Sequence, residues 1–140
     1  MQGCNCNYWL LKSEPNDYSW RMMSEDRVTP WDGVRSPQAI ANMKKAKVGD
    51  LAFFYHSGVE RAIQGVVRVV KNFYIPENVL YGHFEVEYQF DMQRVISLAE
   101  IKRTPQLSSM TILRQPRLSV AAITAEEWNT IMELSQKTCP

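Results

Sequence analysis

The sequence predicts a mixed α+β fold: a barrel or curled sheet with short helices packed outside it. Three observations carry this. The run His83 to Asp91 alternates Phe84, Val86, Tyr88 and Phe90 with Glu85, Glu87, Gln89 and Asp91. That is the period of a strand with one buried and one wet face. Two more runs, Leu51 to Ser57 and Ile63 to Val70, are apolar, rich in β-branched or aromatic residues, and of strand length. Helix-start signals stand among them: Ser36-Pro37, Ser97 with Glu100, and Thr124 with Glu127. Several strands with a few short helices, in no strict alternation, fit one α+β layer architecture. The pattern does not fix strand order.

The remaining elements follow in chain order. Tyr8 to Ser13 reads as a short strand, ended at Glu14-Pro15 because proline holds its predecessor extended. Ser19 caps a short helix through Met23. Thr29-Pro30-Trp31-Asp32-Gly33 reads as a turn-rich loop, since Asp-Gly suits positive φ. After Ser36-Pro37, the residues Ala39, Ile40, Met43 and Ala46 give a helix an apolar stripe. Lys44, Lys45 and Lys47 fall in its last turn, where cations complement the helix dipole. Gly49-Asp50 turns the chain into the strand at Leu51. Leu118 to Ala122 reads as a final strand. The last helix has one mostly apolar face made of Trp128, Ile131, Met132 and Ser135. Phe53 and Tyr88 are expected in the core, and His83 at the surface.

Composition narrows the function classes. The chain has 140 residues, 45% hydrophobic and 22% charged, which suits one globular domain over residues 1–140. A formal net charge of +1 argues against a non-specific polyanion binder, so any nucleic-acid site must be local. No stretch approaches the length of a membrane span, and no Lys or Arg precedes the first apolar run as in a secretory signal. Cys4, Cys6 and Cys139 make a poor disulfide framework, which fits a reducing cytoplasm. Cys4 and Cys6 alone are too few for a tetrahedral zinc site, so no metal is expected.

Four segments, taken together, resemble the EVE domain family. They are Tyr8-Trp9-Leu10-Leu11-Lys12-Ser13-Glu14-Pro15 with Tyr18-Ser19; Trp31-Asp32-Gly33-Val34-Arg35 with Gln38-Ala39; Lys47-Val48-Gly49-Asp50 with Phe54-Tyr55-His56-Ser57 and Gly65-Val66; and Arg117-Leu118-Ser119-Val120 with Thr124 and Glu127-Trp128. They cover nearly the whole chain in order. The chain departs from the family's pattern at Ser36-Pro37, where Asn and an aromatic residue are usual. It also has short segments at Gly58 to Arg61 and at Lys71 to Gly82. The resemblance implies a PUA-like fold, a mixed and partly closed β-barrel with flanking short helices. It further implies kinship with domains that read modified or flipped-out bases in DNA or RNA, with no cofactor.

A pocket for one base needs a flat apolar wall, directional hydrogen-bonding groups and a cationic rim. Trp31 is the candidate wall, because it stands in a polar turn rather than an apolar stripe; the alternative is a Trp that plugs the barrel end. Asp32, Ser13, Ser57 and the backbone of Gly33, Val34 and Arg35 are candidates to read a base edge. The alternative for Asp32 is a bond to its own turn. Arg35, Lys12, Arg114 and Arg117 are candidate phosphate contacts, with solvated surface charge as the alternative. Arg117, with Ser119 in the same motif, is the strongest of these by the resemblance. His56 lies on the face of Phe54 by alternation, and either lines the pocket or is a hydrogen-bonded core histidine.

An enzyme is the competing class. Ser13, Ser57, His56 and Asp32 supply triad residue types, but their order and spacing match none, and no G-x-S-x-G elbow surrounds either serine. There is no phosphate-binding loop or dinucleotide fingerprint, and no zinc-deaminase signature. A small hydrolase or nuclease with a non-standard site remains as an alternative, as does an RNA-binding domain for modified RNA. A protein-interaction domain would show an exposed apolar patch on the last helix. The reading favoured is a monomeric binding module for a modified pyrimidine in DNA or RNA.

Overall fold

The computed structural model describes residues 6–137, so Cys4 and Cys139 lie outside the described residues. The element order is β1 (Tyr8–Ser13), α1 (Trp20–Asp26), β2 (Val28–Trp31), α2 (Pro37–Lys45), β3 (Leu51–His56), β4 (Ala62–Tyr74), β5 (His83–Ser97), α3 (Leu98–Arg103), a 3-10 turn (Pro105–Leu107), α4 (Thr111–Arg114), β6 (Val120–Ile123) and α5 (Ala125–Gln136). The strands form one mixed sheet in the order β2-β5-β4-β3-β1-β6. β1 and β3 pair in parallel inside it, and the other neighbours are antiparallel.

Both faces of this sheet are buried, and that explains its sequence pattern. Trp9, Leu11, Ala52 and Phe54 point into one core, which α1 and α2 cover with Trp20, Met23, Ala39 and Met43. Leu10, Phe53 and Tyr55 point into the other, covered by Ile101 of α3, Leu107, Ile112 of α4, and Trp128 and Ile131 of α5. Strands buried on both sides read as continuous apolar runs, which is what β3 shows.

The helix signals act as local chemistry dictates. The Ser19, Ser36, Ser97 and Thr124 hydroxyls each accept a backbone N–H of the first helical turn. Thr124 and Glu127 bond reciprocally. α2 starts at Pro37 and ends at Lys45, so Lys47 lies beyond it. The buried Asp50 carboxylate accepts from Asn7 N–H, from the Trp9 indole and from Lys47 N–H, tying the start of β3 to β1.

Several expectations are corrected. Thr29 to Gly33 reads as a turn-rich loop, but its first three residues belong to the strand Val28–Trp31; Pro30 is tolerated because β2 is an edge strand with no neighbour needing its missing N–H. His83, expected at the surface, is buried, with its ring edge-on to Tyr74 at 4.8 Å. Phe90 is exposed rather than buried. Along β5, Tyr88 to Phe90 spans two residues against one step of β4, and Asp91 to Ile96 spans five against two. These bulges bend the strand, so Phe84 and Val86 serve the first core while Met92 and Ile96 serve the second. Phe90 sits at the crossover.

The hydrogen-bonded order leaves β2 and β6 as two edges, so the sheet does not close by pairing. It is nevertheless curled. Trp31 pairs with Phe84, in a row that reaches β4 between Lys71 and Tyr74, beyond the partner of Leu51 at the start of β3. Trp31 still lines one cavity with Lys12 and Ser13, at the opposite end of β1. Only a coiled, staggered sheet brings those residues together.

Gly65 is fixed by this packing. A Cβ there would stand 2.0 Å from Cζ2 of Trp20. That ring cannot yield easily: it stacks on Tyr88 at 5.0 Å, meets Phe54 at 5.0 Å, and donates its N–H to Asp91 at 2.7 Å. Gly65→Ala should therefore destabilise by about 1–3 kcal/mol. A thermal melt checks this, and an unchanged Tm would show that Trp20 is not held.

Candidate functional site

A cavity of about 460 Å3 opens where the two ends of the curled sheet meet. One wall is β2 and the turn after it: Thr29, Pro30, Trp31, Asp32, Gly33 and Val34. The other is the end of β1 and the entry to β6: Lys12, Ser13, Glu14 and Ser119. Asp17 and Tyr18, just before α1, complete it. Gly33 has φ +80°, the left-handed geometry that lets the chain reverse after Trp31.

Trp31 is only 7% exposed. Its ring meets Phe54 edge-on at 5.4 Å and Tyr18 at 6.4 Å. Its indole N–H makes no hydrogen bond to a described residue, yet it is not sealed from solvent. By contrast, the indoles of Trp9 and Trp20 are bound to Asp50 and Asp91. Trp31, which lines the cavity, thus keeps its donor unused among the described residues. Asp32 is exposed and forms no hydrogen bond or ion pair with a described residue, so the turn bond considered for it is not made.

The polar lining is asymmetric: one cation, Lys12, against three carboxylates, Glu14, Asp17 and Asp32. The Lys12 ammonium donates to the Pro116 carbonyl, and burial lowers its pKa. The Ser13 hydroxyl donates to the Tyr18 carbonyl, which fixes the Tyr18 backbone against β1. The Tyr18 phenol donates to Asp26 at 2.7 Å. Burial first, and that carboxylate second, push its pKa up to about 12.

Of the sequence-predicted residues, Lys12, Ser13, Trp31, Asp32, Gly33, Val34 and Ser119 share this cavity. His56 does not. Its Nε2 accepts from Trp20 N–H at 2.9 Å and its Nδ1 donates to Glu60 at 2.7 Å, so both ring nitrogens are engaged in holding α1. Ser57 meets β1 through its backbone, whose N–H donates to the Ser13 carbonyl. Arg35 is exposed just outside the cavity, with its guanidinium over the Tyr81 ring at 5.4 Å. Arg117 lines a neighbouring groove with Ser36, Gln38 and Pro116, and Arg114 ends α4 at the surface. Sequence reasoning missed Glu14, Asp17, Tyr18, Thr29 and Pro30 as lining residues. The signal available for Tyr18 was its place beside Ser19, the cap of α1.

Comparison with known proteins bears on this geometry. The EVE domain profile matches residues 7–134. The chain belongs to the EVE domain family. It is 32% identical to rat thymocyte nuclear protein 1, over 93% of this chain and 74% of the rat protein. A crystal structure of an Agrobacterium tumefaciens protein superposes with a TM-score of 0.88 at 33% identity, covering 96% of each chain. Human thymocyte nuclear protein 1, solved in complex with DNA containing 5-methylcytosine, superposes with a TM-score of 0.87 at 28% identity, covering 95% of this chain and 99% of that one. Where this EVE chain departs from the family pattern, Ser36-Pro37, the pair starts α2: Ser36 caps Ala39 N–H and Pro37 takes the first helical position.

The raised Tyr18 pKa gives a prediction at alkaline pH. The unfolded phenol ionises near its ordinary value of 10.0 and the folded one at about 12. The unfolded state therefore loses its proton first, and Tyr18 contributes stability that fades as pH rises between those values. Tyr18→Phe should flatten the fall in stability across that window, relative to the parent, in urea melts. Parallel curves for the two proteins would contradict it.

Proposed function

We propose that this chain is a nucleic-acid-binding module that takes one modified base, a methylated or hydroxymethylated cytosine, into the cavity at Trp31. The observation that carries the reading is the meeting of a Trp31 indole and an Asp32 carboxylate, both without a hydrogen-bond partner among the described residues, at one cavity of nucleoside-compatible size. The complex of the human relative with 5-methylcytosine DNA supports the same ligand class. We take the curled sheet to be a partly closed PUA-like barrel, a view the stagger between Trp31 and Ser13 supports.

Chemistry divides the work. Stacking on an aromatic ring contributes roughly 1–3 kcal/mol and is nearly blind to base identity. Identity must come from the base edge. A carboxylate such as Asp32 accepts from the exocyclic amine of cytosine, which thymine and uracil lack. Because the Trp31 N–H lies in the plane of its ring, it would donate to a sugar oxygen beside the stacked base rather than to that base's edge. A methyl adds only about 0.8 kcal/mol, roughly fourfold in affinity. Three carboxylates disfavour phosphate inside the cavity, so the strand's phosphates would lie outside it near Arg35 and Arg117, with Lys12 the one cation of the lining able to meet them.

Binding is favoured over catalysis because the one candidate general base, His56, and the cavity-lining serine, Ser13, are otherwise engaged. Ser13 donates to a backbone carbonyl, and His56 is used on both nitrogens. The apolar face of α5 is packed into the second core, which leaves a docking role for that helix without support. In this reading the chain acts as one domain and a monomer, without metal or cofactor.

Fluorescence anisotropy with matched oligonucleotides tests the proposal. Single-stranded and duplex DNA, and RNA, would each carry cytosine, methylcytosine or hydroxymethylcytosine at one position. A modified strand should bind several-fold tighter than its unmodified match. Trp31→Ala should weaken it by roughly 5- to 150-fold, the range that stacking energies imply. Asp32→Asn, at an exposed position, should erase discrimination between cytosine and thymine with folding intact. Equal weak binding to every strand, unchanged in both variants, would sink the reading.

A further inference from the structure

The tip of the β4–β5 hairpin, residues 75–82, exposes Ile75, Val79, Leu80 and Tyr81 within seven positions. Leu80 is 82% exposed and Ile75 60%. Apolar side chains clustered this way on a small soluble protein usually mark a contact site. The tip is also shaped. Asn78 takes φ 66°, and a Cβ on Gly82 would stand 2.5 Å from the Tyr74 carbonyl and from Phe73, so the turn closes tightly on the strands below it.

Its position relative to the cavity is set by two contacts. Phe84, three residues after Tyr81, pairs with Trp31. Arg35, the residue after the cavity-lining Val34, lies over the Tyr81 ring. Cations surround the base of the hairpin: Lys71 over Tyr74 at 4.0 Å and Lys44 over Phe73 at 5.6 Å. The tip itself has one carboxylate, Glu77. An apolar knob beside a base-sized cavity, with lysine and arginine at its foot, complements bases above and phosphates below.

We propose that Leu80 and Tyr81 form a wedge that enters the duplex beside the extruded base and covers the base pair it leaves exposed. This rests on the reading of the cavity as a base pocket. Drawing a base from a duplex costs a few kcal/mol in lost pairing and stacking. An inserted apolar side chain restores part of the stacking, as kinking proteins do with Leu, Ile and Phe. A single strand has no such gap, so the wedge should matter only for duplexes.

The test compares the full chain with Leu80→Ser, a change at an exposed position that leaves the cavity untouched. Each is titrated with a duplex holding one 5-methylcytosine and with the corresponding single strand. The expected result is a loss of about tenfold or more on the duplex and under about threefold on the single strand, the split expected if the variant removes only the wedge. Equal affinity of the variant for the duplex overturns the wedge and leaves the pocket reading standing. A wild-type chain that prefers no modified strand overturns both. Sedimentation closes the remaining route: a wild-type dimer that Leu80→Ser dissociates, with duplex binding unchanged, assigns the tip to a second copy and overturns the wedge.

Discussion

Trp31 packs edge-on against Phe54 at 5.4 Å, and that contact joins one edge of the sheet to its middle. Phe54 belongs to β3, a central strand buried on both faces; Trp31 ends β2, an edge strand. The strands between them are paired continuously, yet their stagger carries Trp31 round to the far end of β1. The cavity exists because this approach stops short of backbone pairing. A pairing of β2 with β6 would fill it, and a flatter sheet would leave Trp31 on an open edge.

The support beneath that contact runs through α1. Gly65 leaves room for Trp20, which stacks on Tyr88 and bonds Asp91. His56 receives the Trp20 N–H and donates to Glu60. Ser13 holds the Tyr18 carbonyl, and Tyr18 in turn meets Trp31. Residues that look catalytic in type are thus spent on aiming an aromatic wall. Trp31 and Asp32, whose indole N–H and carboxylate have no hydrogen-bond partner among the described residues, both line the cavity.

Much of this was legible in the residues, for physical reasons that can be named. The helix caps at Ser36, Ser97 and Thr124 are local devices and act where they stand in the sequence. The alternation of β5 is local too, but its bulges depend on pairing with β4, so the exposure of Phe90 could not be read from the pattern. Pro30 hid β2, because only the strand order reveals that its neighbour side is free. The segments around Lys12-Ser13, Trp31 to Val34 and Ser119 were found, and the structure gathers them at one cavity. His56 and Arg117 were grouped with them, and the coiling of the sheet sends one to the support of α1 and the other to a neighbouring groove. Side-chain type is visible in a sequence; the sharing of a cavity by opposite sheet edges is not.

The most direct measurement is a two-dimensional amide and indole proton–nitrogen NMR spectrum of the labelled chain, titrated with a single-stranded oligonucleotide holding one 5-methylcytosine. The indole signals are assigned by substituting each Trp in turn. The account predicts that the Trp31 indole resonance moves with saturation, because its N–H gains a partner in the cavity, while those of Trp9 and Trp20 stay, held by Asp50 and Asp91. A Trp31 indole signal unmoved at saturation would place the ligand elsewhere and contradict the account.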